Sequence, residues 1–191
     1  MGKFKFIETE IRDLYIIEPH VFGDSRGYFM ENYNKKDFVE AGLTMEFVQD
    51  NESKSTKGVL RGLHFQTKHT QGKLVRVTEG SVFDVAVDLR KGSPTFGKWN
   101  GVILTADNKK QFYIPEGFAH GFLVLSDVAV FNYKCTDYYA PEYDSGVLWN
   151  DADIAVKWPV EGIDEILLSE KDKNQKKLKD LEICFEYKGD K

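Results

Sequence analysis

The chain has 191 residues, 41% of them hydrophobic and 30% charged, with a formal net charge of −5. That length suits one sizeable core, and the acidic balance gives no chain-wide basic surface for nucleic acid. No segment approaches the roughly 18 apolar residues of a membrane span, the first residues MGKFKFIETEI lack the apolar run of a signal peptide, and Cys135 and Cys184 lack metal spacing, so a cytoplasmic protein with free thiols is expected.

No Pro/Gly/Ser-rich linker and no fixed-period repeat divides the chain, so one domain is expected over 1–191, with the strands over about 5–160 and a tail over about 169–187. In chain order, FGDSRGYFMENY (Phe22 to Tyr33) reads as a loop with Arg26 and Glu31 among aromatics, suited to a phosphate and a stacked base or else simply solvated. NKKDFVEAG predicts a short helix capped by Asn34 and stopped by Gly42. FVQDNESKS reads as a second polar loop. VLRGLHFQ (Val59 to Gln66) reads as a strand, but Arg61 and His64, an odd number apart, point to opposite faces of a regular one. A bulge at Gly62 would bring them to one face.

In KLVRVTEGSVFDVAVDLR, Val75 and Val77 alternate with Arg76 and Thr78, and Glu79-Gly80 makes a turn. Phe83, Val85, Val87 and Leu89 then alternate with Asp84 and Asp88, which predicts a hairpin with one wet face. GKWNGVILT is another strand, and GFAHGFLVLSDVAVFNYKCT predicts a second hairpin turning at Ser126-Asp127. From Ser169 to about Tyr187, Leu178, Leu181 and Cys184 recur at helical spacing and predict a helix laid outside the sheets. Many short strands broken by turn residues predict a mainly β sandwich, jelly roll or barrel with few helices.

Three polar residues share a face with apolar neighbours: Lys73 with Val75 and Val77, Tyr133 with Phe131 and Cys135, and His120 with Phe118 and Phe122. Singly, each has a plain reading: a lysine that snorkels, a tyrosine that wets its hydroxyl, a satisfied core histidine. Together they point to a polar network or a binding site, because an unpartnered buried charge is costly.

The segments QDNESKSTKGVLRGLHFQ, QGKLVRVTEGSVFDVAVDLRKGSPTFGKW, IPEGFAHGF, YKCTDYYAPE and ILLSEKD, in this order over roughly residues 5 to 175, resemble the dTDP-4-dehydrorhamnose 3,5-epimerase family. The resemblance implies a cupin-type jelly roll, a homodimer, no metal or organic cofactor, and a nucleotide-linked 4-keto-6-deoxy hexose as substrate. It implies that His64 is the base, Asp172 the carboxylate that orients it, Tyr133 the acid and Lys73 the cation at the enolate oxygen. Read from the residues alone, Asp172 closes a capping box with Ser169. Substrate contacts carry over to Arg26, Glu31, Gln49, Asn51, Arg61, His120, Tyr139, Asp144 and Lys171. Asp144 departs from the family, which often has glutamate there, and Arg26 and Glu31 are candidates to serve a neighbouring subunit.

Three other classes compete. PEGFAH fits the second metal motif of metal-dependent cupins, but Lys73 stands where the first motif wants a carboxylate, and a lysine repels a divalent ion. A 3-epimerase or a 3,4-ketoisomerase would use much the same residues. A non-enzymatic nucleotide-binding module would need Arg61 and aromatics but no acid facing a base.

Overall fold

The structure is a computed structural model and describes residues 3–189. The elements in chain order are β1 (Phe4–Glu8), β2 (Tyr15–Pro19), β3 (Val21–Asp24), β4 (Gly27–Met30), α1 (Lys35–Glu40), β5 (Gln49–Thr56), β6 (Leu60–Gln66), β7 (Lys73–Glu79), β8 (Ser81–Asp88), β9 (Trp99–Thr105), β10 (Gln111–Ile114), β11 (Phe118–Val124), β12 (Val128–Cys135), β13 (Asp144–Gly146) and α2 (Glu170–Lys173). They form a six-stranded sheet in the order β1-β2-β10-β7-β12-β5, a five-stranded sheet in the order β13-β6-β11-β8-β9, and a separate β3–β4 ribbon.

The main core lies between the two larger sheets. Val75, Val77, Phe112, Ile114, Ala129 and Phe131 of the first meet Val82, Ala86, Val102, Leu104, Phe118 and Phe122 of the second. Phe131 stacks on Phe122 with ring centroids 4.3 Å apart, and truncating such a buried phenylalanine to alanine typically costs about 3–5 kcal/mol. A second core covers the outside of the five-stranded sheet, where Leu63, Val85, Val87 and Leu89 pack against Val147, Ile154, Ile183 and Phe185. A third lies under α1, around Phe38, Ile17, Leu74 and Tyr113. Helix α1 starts as expected: the Asn34 side chain accepts from the Lys36 backbone N–H, and Gly42 adopts a φ of 86° just beyond its end.

The expectation of a closed cupin-type jelly roll or barrel is corrected. The chain is mainly β with few short helices, but its two sheets stay open, ending at β1 and β5 and at β13 and β9. Neither predicted hairpin is one. β7 lies between β10 and β12 while β8 lies between β11 and β9, so the Glu79-Gly80 turn carries the chain across the core, and the Ser126-Asp127 turn carries it back. Alternation reports which residues share a face, not which strand lies alongside. The two crossings interlock: Ser126 Oγ accepts from the Ser81 N–H at 2.8 Å and donates to the Val128 carbonyl at 2.7 Å. A Cβ on Gly80 would lie 1.9 Å from that same carbonyl oxygen.

The supposed wet face of β8 is also dry. Asp84 and Asp88 are fully buried, because the tail covers one side of the strand while the other side faces the main core. The tail itself is extended, not helical. After the short α2 and a single 3-10 turn (Leu178–Asp180), Ile183 and Phe185 are buried and Cys184 is exposed, which is the two-residue period of a strand. Its backbone pairs with Lys91, whose N–H donates to the Phe185 carbonyl. The two predicted loops at residues 22–33 and 47–55 are the β3–β4 ribbon and the edge strand β5.

Candidate active site

Polar residues gather where two sheet edges face each other. Strand β12 pairs Tyr133 with Asn51 and Cys135 with Gln49 on β5, and on its other side it pairs Cys135 with Lys73. These five residues therefore share a face, and it is the inward one, since Phe131 and Ala129 on the same face are core. Across the gap, His120 of β11 pairs with His64 of β6, and Gln66 pairs with Asp144 of β13. His120 stacks on Phe131 of the other sheet at 6.0 Å, which orients its face, and with it that of His64, inward.

The bulge expected at Gly62 is present. His120 pairs with His64 and Phe122 with Arg61, so Gly62 and Leu63 together oppose Gly121. The extra residue reverses parity and brings Arg61 and His64 to one face. Gly62 has a φ of 121°, and a Cβ there would lie 2.5 Å from Gly121 Cα and 2.7 Å from the His120 carbonyl oxygen, so the two backbones approach as only glycine allows.

His64 Nε2 contacts Oδ1 of Asp172, the buried residue of the otherwise exposed α2. The Asp172 carboxylate also accepts from Ser169 Oγ at 2.7 Å, and its N–H donates to that oxygen at 3.1 Å. The cap and the histidine partner are thus the same residue. Burial pushes the Asp172 carboxyl up, but the His64 and Ser169 hydrogen bonds and the Lys171 charge outweigh it and hold the group below the ordinary carboxylate range. A carboxylate only accepts, so Nε2 carries the proton and the lone pair of a neutral His64 sits on Nδ1.

Lys73 keeps partial contact with solvent, and it shares a narrow cavity with His64, Thr70 and Phe118. Burial pulls its ammonium below the ordinary lysine range, against the opposing pull of Cys135, Asp144 and Asp84. Burial likewise pushes the Tyr133 phenol up, with Cys135 adding to the rise and Arg61 opposing it. His120 Nε2 lies 3.0 Å from Asp84 Oδ2, a pair sealed within the core. Burial raises the Asp84 carboxyl, and His120 and Lys73 partly offset the rise.

The other expected contacts form a chain along the edge. Gln49 Nε2 donates to Asn51 Oδ1 at 3.0 Å, and Gln49 Oε1 accepts from the Tyr139 N–H at 3.0 Å. The Tyr139 hydroxyl donates to Asp144 Oδ2 at 3.0 Å, and Lys171 pairs with that same oxygen. Arg61 crosses the gap to Ser55 Oγ at 3.2 Å. Arg26 and Glu31 do not join them. Arg26 pairs with Asp24 on the exposed β3–β4 ribbon, and Glu31 pairs with Lys3 and Asn34.

Asp84, Ser55 and Gln66 are buried polar residues of this region that reading by residue type missed. Asp84 had a signal, because Val82 and Ala86 share its parity and are apolar. Two larger clefts, of about 520 and 690 Å³, lie elsewhere: one on the outer face of the six-stranded sheet around Arg76 and Asn132, the other beside Arg90, Tyr113 and Tyr187. Neither holds His64 or Lys73, although Asn51 and Tyr133 also line the first. Among the described residues, no three His, Cys, Asp or Glu side chains converge as metal ligands would, and no helix is long and apolar enough to cross a membrane.

The family model for dTDP-4-dehydrorhamnose 3,5-epimerase matches residues 8–180. A curated dTDP-4-dehydrorhamnose 3,5-epimerase from Methanothermobacter thermautotrophicus is 58% identical over 180 residues, 94% of this chain and 97% of the relative. A crystal structure of the Legionella pneumophila dTDP-6-deoxy-D-glucose-3,5-epimerase in complex with dTDP-4-keto-L-rhamnose superposes with a TM-score of 0.93 at 52% identity, covering 97% of this chain and 99% of that one. A 3'-monoepimerase from Streptomyces bikiniensis, in complex with dTDP-quinovose, gives a TM-score of 0.84 at 33% identity, covering 90% and 87%.

Proposed function

The chain belongs to the dTDP-4-dehydrorhamnose 3,5-epimerase family, and from that premise we propose which of its residues carry the reaction. The activity is the double epimerisation, at C3 and C5, of dTDP-4-dehydro-6-deoxy-D-glucose to dTDP-4-dehydro-L-rhamnose. The C4 ketone acidifies the hydrogen on each neighbouring carbon. His64 removes that proton through Nδ1, while Asp172 holds Nε2–H and supports the imidazolium that forms. The electron pair moves onto the C4 oxygen, where the Lys73 ammonium meets the enolate charge. The Tyr133 phenol then protonates the same carbon from the other side, and the centre inverts. Solvent takes the proton from His64 and returns one to Tyr133, so each inversion leaves one solvent-derived hydrogen on carbon.

The observation that carries this reading is the opposition of the two groups. His64, backed by Asp172, stands on the five-stranded sheet, and Tyr133, two positions from Cys135 beside Lys73, stands on the six-stranded one. Arg61, Gln49, Asn51, His120, Tyr139, Asp144 and Lys171 are read as contacts for the diphosphate, base and sugar. For Gln49, Asn51, Tyr139, Asp144 and Lys171 the support is their hydrogen-bonded chain along the cleft edge. For Arg61 it is the reach across the gap to Ser55, and for His120 its pairing beside His64, with its ring buried against Asp84.

The ribbon carrying Arg26 is read as serving a second copy of the chain in a homodimer. Its support is the exposure of Phe22, Tyr28 and Phe29 around an arginine that reaches no group of its own cleft. A reducing, cytoplasmic setting accords with two free thiols. Turnover in heavy water tests the chemistry. Deuterium at both C3 and C5 of the product is expected, and deuterium at C3 alone would remove the second inversion.

A further inference from the structure

One buried polar side chain beside the cleft has no part in the chemistry above. Gln66 ends β6, two residues beyond His64, and is only 6% exposed. Its amide is fully used. Nε2 donates to the His69 carbonyl and, at 3.2 Å, to the Tyr138 carbonyl, and Oε1 accepts from the Ala140 N–H at 2.8 Å. All three partners are backbone groups of two connections, residues 67–72 and 136–143, that no sheet ladder holds at these points.

The second connection spans the mouth of the cleft, from Cys135 at the end of β12 on one sheet to Asp144 at the start of β13 on the other. Gln49 Oε1 accepts from the Tyr139 N–H between the two Gln66 contacts. Two glutamines, one from each sheet, therefore grip three consecutive residues, Tyr138, Tyr139 and Ala140. Tyr139 stays 55% exposed while its hydroxyl donates to Asp144.

We propose that Gln66 is a positioning residue that acts through Tyr139: with Gln49 it fixes the strap from Tyr138 to Ala140, so that the Tyr139 ring stands at a set height over the cleft as a shelf for the nucleotide part of the substrate. This rests on the nucleotide-sugar reading of the cleft. Gln66 lines the same narrow cavity as His64 and Lys73, but its hydrogen bonds go to backbone groups and not to either of them, so its loss falls on binding. A glutamine is suited to the task because it is neutral and presents two donors and one acceptor to backbone groups that need them. Glutamate would keep the acceptor, lose both donors and set its charge against two carbonyl oxygens.

The test uses Gln66→Met, of similar volume but without hydrogen bonds, in the full-length protein. KM for the 4-keto sugar nucleotide and the Kd of thymidine diphosphate should each rise roughly tenfold, with kcat within about threefold. In a Tyr139→Ala background the same change should add nothing to either constant. An equal rise in both backgrounds, an unchanged KM, or a fall in kcat alone would each overturn the proposal. Amide hydrogen exchange on the unaltered protein checks the clamp without activity or a variant. The Ala140 and Tyr139 N–H groups should exchange far more slowly than exposed amides such as that of Lys68, and equal rates would mean that no clamp exists, whether or not Gln66→Met folds. Should the unaltered protein fail to turn over the sugar nucleotide, the functional reading falls, while the exchange rates still decide the clamp.

Discussion

At the scale of single residues, the cleft sets two protonation equilibria in opposite senses. Burial drives the Tyr133 phenol above the usual tyrosine value of 10.0 and the Lys73 ammonium below the usual lysine value of 10.5. The phenol therefore stays protonated to higher pH than a free tyrosine, and the ammonium loses its proton at lower pH than a free lysine. The sign for activity follows. Turnover that needs Lys73 charged is full below its lowered pKa and falls as pH climbs through it. The alkaline limb of kcat/KM should thus fall below pH 10.5 and move upward in Lys73→Arg, whose guanidinium keeps its charge. An alkaline limb that stays in place in Lys73→Arg, or moves instead with Tyr133→Phe, would take Lys73 out of that role. Asp84 belongs to the same balance. It lies sealed behind His120 and bears on Lys73, so the charge at the cleft floor extends one layer deeper than the groups that face substrate.

At the scale of elements, the bulge in β6 decides whether the site exists. Gly62→Ala would drive a methyl group into the Gly121 backbone, and such an intrusion where nothing flexible can yield typically costs about 1–3 kcal/mol. Urea denaturation should show that loss, and turnover should fall with it, because Arg61 and His64 hang on either side of the distortion. A variant with unaltered stability and rate would show that the close approach is dispensable. The bulge was legible in the sequence, because a cation and an imidazole an odd number apart need a parity change and Gly62 lies between them. Lys73, Tyr133 and His120 were legible for a related reason: each interrupts an apolar face of known period. Pairing was not. Gly80 and Ser126-Asp127 look like hairpin turns, yet each passes the chain from one sheet to the other. Asp84 was assigned to solvent because two-residue alternation cannot say which face is covered when a second layer lies outside the sheet. The tail misled through Leu178, Leu181 and Cys184, whose helical spacing is incidental to a strand-like chain that buries Ile183 and Phe185. Gln66 carried no signal at all, since its partners are backbone groups that alternation does not register.

At the scale of the whole molecule, the ribbon bearing Arg26 stands apart from both large sheets, with Phe22 and Phe29 exposed by 51% and 63%. If it completes the cleft of a second copy, two defective chains can repair each other. In a mixed dimer of Arg26→Ala and His64→Ala, the chain that keeps His64 receives Arg26 from its neighbour. Mixing should then restore activity at low substrate concentration beyond that of either variant alone, whereas an arginine serving its own chain restores none. The two cysteines lend themselves to a different use. Cys135 lies sealed at the cleft floor with Asn51 donating to its sulfur and burial pushing its thiol up, while Cys184 is exposed on the tail and rests on the Thr67 carbonyl. A maleimide dye should accordingly attach once per chain without engineering, next to the connection that Gln66 grips, and report from there on the cleft in an otherwise natural protein.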